Sequence, residues 1–104
     1  MTYNIIISKD AEDDLKGYIK YLYVEKKNEQ AAKSVLDDFE GTIQSLRRVA
    51  PSLKLCENPR LKIQEYRRIN FIKHRYFMLY RIRRENIYVD AIFHELQDYE
   101  NKMN

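Results

Sequence analysis

The sequence predicts an α+β domain, with an antiparallel helical hairpin packed on one face of an antiparallel sheet of about four strands. Three observations carry this expectation. Apolar residues recur at helical spacing in two blocks of the first half, Ala11 to Leu22 and Ala32 to Val49. From Leu61 onward the apolar period shortens towards that of a strand. Pro51, Asn58 and Pro59 mark a loop between the two regimes.

Each element has a local reason. Tyr3 to Ser8 is short and rich in isoleucine, which reads as a strand. Ser8 and Asp10 are both plausible N-caps, and Glu12, Asp13 and Asp14 suit the positive end of a helix. Ala11, Leu15, Tyr18, Ile19 and Leu22 then form one apolar stripe. The polar run Glu25 to Asn28 interrupts it, and Ala32, Val35, Leu36, Phe39, Ile43, Leu46 and Val49 form a second stripe. Pro51 stops the second helix because proline disfavours a helical residue before it. Gly41 lies inside that helix, where close packing would explain it. The second half reads as a strand from Leu61 to Phe71 with an irregular start, then His74–Arg83 and Ile87–His94. A short helix is expected within Glu95–Met103.

Composition narrows the function. A chain of 104 residues holds one domain, expected over residues 1–104, with no room for a separate cofactor fold. Two glycines exclude a dinucleotide fingerprint or a P-loop. Two histidines and one cysteine, far apart, give no zinc spacing, and neither a metal nor an organic cofactor is expected. A lone cysteine, Cys56, suggests a reducing, cytoplasmic setting, and no apolar run is long enough for a membrane span.

The net charge of +3 is unevenly spread. Residues 54–84 carry ten basic side chains against Glu57 and Glu65, a local +8 that leaves −5 elsewhere. Such a split points to a polyanionic partner, most simply nucleic acid. Strand parity expects Tyr76, Met78, Tyr80 and Ile82 to face the helices with Ile87, Val89, Ala91 and Phe93. It sends Arg75, Phe77, Leu79, Arg81 and Arg83 to the other face with Tyr88, Asp90, Ile92 and His94. Two hairpin turns fit, centred on Arg84-Glu85 or on Glu85-Asn86, and either brings His94 beside arginines.

A histidine can move protons near neutral pH, arginines clamp phosphate, and tyrosines stack on unpaired bases. RNA supplies its own nucleophile, the 2′-hydroxyl. His94, Arg75 and Arg68 are therefore the candidate catalytic set, and Lys54, Lys62, Arg81, Arg83 and Tyr88 the candidate substrate contacts. The set needs no metal. His74 reads as a solvated turn residue, and Cys56 has no neighbour in sequence that would activate it.

The order of these motifs resembles the RelE/ParE superfamily of bacterial type II toxin–antitoxin toxins. The resemblance rests on Ala11-x-x-x-Leu15 after the first strand, Pro59-Arg60-Leu61-Lys62, Tyr66-Arg67-Arg68-Ile69 and His74 to Ile82. It rests most on Val89-Asp90-Ala91-Ile92-Phe93-His94 followed by Gln97-Asp98-Tyr99. It implies a toxin held inactive by a cognate antitoxin. RelE-like members cleave mRNA in the ribosomal A site, whereas ParE-like members inhibit DNA gyrase. By the match to the mRNA-cleaving branch, Arg75 would bind phosphate and His94 would act as acid or base. The expected function is ribosome-dependent mRNA cleavage, with gyrase inhibition the alternative and a non-toxic nucleic-acid-binding or structural module the third reading. The expected partners are the antitoxin and the ribosome with its mRNA, or gyrase in the alternative.

Overall fold

The computed structural model describes residues 3–103. The chain runs through β1 (Asn4–Ile7), α1 (Lys9–Lys20), α2 (Glu29–Val49), α3 (Pro59–Ile63), β2 (Arg67–Asn70), β3 (Tyr76–Arg83), β4 (Asn86–His94) and α4 (Tyr99–Lys102). It is an α+β fold, with the expected N-terminal strand, helical hairpin and short C-terminal helix. Ser8 caps α1, its Oγ accepting from Ala11 N at 3.0 Å, and Asn28 caps α2 in the same way through Ala31 N. The first helix continues past Lys20 as a π-helical turn, Tyr21–Glu25.

The sheet order is β1-β4-β3-β2, and the sheet is mixed. β2, β3 and β4 pair antiparallel, while β1 runs parallel to β4. The β3–β4 hairpin uses the Arg84-Glu85 turn, with Arg83 opposite Asn86, and leaves the outer edge of β4 free. β1 takes that edge in parallel, which the long return through both helices permits.

Two expected boundaries move. The strand expected from Leu61 begins only at Arg67, because Asn58 Oδ1 accepts from Arg60 N and Leu61 N and Pro59 starts a helical turn instead. Glu65, at φ 65°, reverses the chain into β2. The terminal helix shrinks to Tyr99–Lys102. Gly41 is not demanded by packing, since a Cβ there would meet only Ile72 Cδ1 at an ordinary 3.8 Å.

The sheet separates two apolar clusters. On the helix face Met78, Tyr80, Ile87, Val89 and Ile92 pack against Ala11, Val35, Ile43 and Leu46. On the outer face Phe77, Leu79, Ala91 and Phe93 pack under Leu61 and Tyr66, with Tyr99 and Met103 against them. Burying such side chains stabilises the fold by about 1.5–3 kcal/mol each. Among the described residues no helix is long and apolar enough to cross a membrane.

Past Val89, β1 has ended and the edge of β4 would lack partners. Side chains from α1 and the C-terminal segment continue the ladder. Ser8 Oγ donates to Asp90 O at 3.1 Å, and Asp14 Oδ2 accepts from Ile92 N at 3.0 Å. The Tyr18 hydroxyl donates to Ile92 O at 2.9 Å, and Gln97 Oε1 accepts from His94 N at 2.8 Å.

Candidate functional site

A bulge in β4 decides which face each candidate residue reaches. Arg81 pairs with Tyr88 and Tyr80 with Val89, but Leu79 pairs with Ala91, so Asp90 is an extra residue. Asp90 and Ala91 both turn to the outer face, and every later residue swaps sides. Ala91 and Phe93 therefore join the outer cluster and Ile92 joins the helix-face core, the reverse of simple alternation. His94 lies opposite Tyr76, ring edge to ring face at 5.1 Å. The expectation that His94 shares a face with the arginines fails, because one inserted residue inverts the parity.

His94 is held in place by the backbone around it. Its Nδ1 accepts from Leu96 N at 3.2 Å, and Tyr18 stacks beside Tyr76 at 4.9 Å. Arg75 precedes β3 and is exposed, and its carbonyl accepts from Glu95 N at 2.9 Å. Arg68 belongs to β2, opposite Leu79, on the outer face. Arg68 and His94 thus lie on opposite faces of the sheet, while Arg75 is joined by its backbone to the residue after His94.

The outer-face cations are already engaged. Arg81 Nη2 lies 2.9 Å from Asp90 Oδ2 and its Nε donates to the same oxygen at 3.0 Å. Tyr66 donates its hydroxyl to that oxygen at 2.7 Å while its ring lies 4.8 Å from the Arg81 guanidinium. Burial, and then the Asp90 carboxylate, push the Tyr66 hydroxyl up to about 12. It stays protonated at neutral pH.

Arg68 lies 3.7 Å over the Phe77 ring and 5.9 Å from that of Tyr99, with Nε donating to Asn70 Oδ1. Beside it is a cavity of about 370 Å³ lined by Lys54, Cys56, Glu57, Arg68, Asn70 and Tyr99 among others. Burial pushes the Cys56 thiol up, against the pull of Arg68, so this cysteine is no thiolate nucleophile. Lys54 pairs with Glu57 at 3.5 Å and Arg83 with Glu65 at 3.7 Å, both exposed pairs worth little energy. Arg67 donates to the Leu53 carbonyl. Lys62 is exposed on α3, and Tyr88 is half-buried across from Arg81.

A different cluster was not anticipated. Asp38, on α2, is 5% exposed. Its Oδ1 accepts from Ile72 N at 3.0 Å, and its Oδ2 from Lys73 N at 2.9 Å and His74 N at 2.8 Å. The His74 ring Nδ1 lies 2.7 Å from Oδ2, and its Nε2 lies 3.4 Å from Ser34 Oγ. His74 is thus tied to a buried carboxylate rather than being a solvated turn residue. Burial alone would raise the Asp38 carboxyl, but the His74 ring and the loop amides outweigh it and hold it below the usual range. The one sequence signal was Asp38 itself, an acid next to the apolar stripe of α2. Among the described residues, no group of three acidic, histidine or cysteine side chains is arranged to hold a metal.

Comparison with known proteins agrees with this architecture. The family model described as ParE toxin of type II toxin-antitoxin system, parDE, matches residues 5–99. A solved structure titled as the chromosomal ParDE TA system from P. aeruginosa superposes with a TM-score of 0.72 at 17% sequence identity, over 89% of this chain and 96% of that one. No curated protein gives a significant match. With nearly its whole length matched, the chain belongs to the ParE toxin family of type II toxin–antitoxin systems.

Proposed function

We propose that this toxin arrests growth by binding and inhibiting DNA gyrase, acting in the cytoplasm until its cognate antitoxin covers it. The observation that carries the reading is the Asp90 bulge. It leaves Arg68, Arg81 and Tyr88 on one face of the sheet and His94 on the other, against Tyr76. Cleavage by attack of the 2′-hydroxyl needs a base and a phosphate clamp within hydrogen-bond reach of one nucleotide. On that outer face the Tyr66 hydroxyl is held protonated, and Arg81 is paired with Asp90. The membership of the ParE family supports the same direction.

Ribosome-dependent mRNA cleavage is the second reading. It is favoured by one observation, the +8 segment with Arg68 and Lys54 lining the 370 Å³ cavity. Two assays separate them. Purified toxin added to gyrase should block supercoiling of relaxed plasmid, and translating ribosomes with a defined mRNA should keep that mRNA intact. Codon-dependent cuts with unaffected supercoiling would reverse the assignment.

A further inference from the structure

Of the ten cations in residues 54–84, most are already occupied within the fold. Arg81, Arg83 and Lys54 face carboxylates, Arg68 lies over an aromatic ring, Arg67 donates to a carbonyl and Arg60 donates to Glu100 O. Lys62, Lys73, Arg75 and Arg84 are exposed, and among the described residues no hydrogen bond or ion pair engages their side chains. Two of these four, Lys73 and Arg75, lie within three residues of each other on the loop between β2 and β3.

That loop is built at some expense. Placing a carboxylate in the interior costs several kcal/mol unless it is fully hydrogen-bonded. Asp38 meets the requirement by collecting three consecutive loop amides, Ile72 to His74, and the His74 ring. The acid therefore satisfies the loop's backbone and leaves the loop's cationic side chains outside. Two large apolar side chains accompany them. Ile72 is 65% exposed, and Leu96 is 84% exposed on the segment joined to the loop by the bond from Glu95 N to Arg75 O.

We propose that the Ile72–Arg75 loop, together with Leu96, is the surface with which the toxin grips its growth-arrest target. The partner that fits is a protein surface carrying carboxylates next to an apolar patch. Free cations complement the acids, and Ile72 and Leu96 give the buried apolar centre that protein interfaces use. A phosphate backbone would take the cations but would leave both apolar side chains unused. Asp38 and His74 act as positioning residues that fix the loop. The inference rests on the gyrase reading for the identity of the target, and on geometry alone for the place of contact.

The test compares Lys73→Glu/Arg75→Glu and Ile72→Ser/Leu96→Ser with wild type and with a charge-matched control, Arg48→Glu/Arg84→Glu. Each is measured for growth arrest on induction, retention on immobilised gyrase, co-purification with the antitoxin and binding to linear duplex DNA. Both loop variants should lose tenfold or more in gyrase retention and in arrest, with antitoxin and DNA binding kept, while the control stays like wild type. Arrest by wild type and loop variants alike would overturn the surface assignment. So would loss of antitoxin binding, or loss confined to the cationic variant and shared with DNA. Absence of arrest, or of gyrase retention, in wild type itself would instead sink the gyrase reading.

Discussion

Asp90, in the β4 bulge, and Asp38, on α2, are both acids held by several hydrogen bonds, yet they treat nearby cations in opposite ways. Asp90 receives side chains, the Arg81 guanidinium and the Tyr66 hydroxyl, and so removes a positive charge from the outer face. Asp38 receives loop amides and a histidine ring, and so leaves Lys73 and Arg75 outside with their charge unspent. A count of basic residues treats both regions alike. What each acid binds decides where the molecule can attract an anionic partner.

The largest effect expected is at Asp38. Asp38→Ala leaves three amides and a histidine ring without their acceptor, and should cost about 3–5 kcal/mol in urea unfolding. A loss under about 1 kcal/mol would mean that water replaces the carboxylate and that the loop is not fixed by it. The same group sets a pH dependence. Its carboxyl is lower in the folded state than in the unfolded chain, so the unfolded state binds more protons as pH falls. The stability it contributes is present above about pH 4 and fades as pH drops through the folded value. The gap between wild type and Asp38→Asn should accordingly narrow as pH falls below about 4.

Asp90→Ala should be milder, costing about 1–3 kcal/mol by releasing the Tyr66 hydroxyl and the Arg81 guanidinium. It should also strengthen retention on heparin, because Arg81 becomes free, and unchanged retention would show that Arg81 stays neutralised another way. The smallest change runs upward. Arg84 sits at φ 58° in the hairpin turn, a conformation that costs an L side chain strain and glycine none. Arg84→Gly should stabilise by about 0.5–1 kcal/mol in the same unfolding assay.

Much of the fold was legible from Ser8, Asn28, Pro51 and the two apolar stripes, since caps, breaks and helical spacing are local properties. The hairpin formed at Arg84-Glu85, one of the two turns that the local pattern allowed. The β4 bulge was not, because the apolar run Ala91-Ile92-Phe93 supplies a core residue in either register and local pattern cannot choose. Its consequence was large, since a single residue moved His94 across the sheet. The Asp38 cluster was equally hidden, because it joins α2 to a loop 34 residues later. The parallel placement of β1 follows from which edge of β4 the hairpin leaves open, a question only the assembled sheet answers.

On the gyrase proposal, this toxin works by contact and not by histidine chemistry. Growth arrest on induction of His94→Gln, with mRNA from the same cells mapped for cuts, tests it most directly. Arrest retained with intact mRNA is the result expected from a ring packed against Tyr76 on the helix face. Arrest abolished, together with wild-type cuts that vanish in the variant, would contradict it.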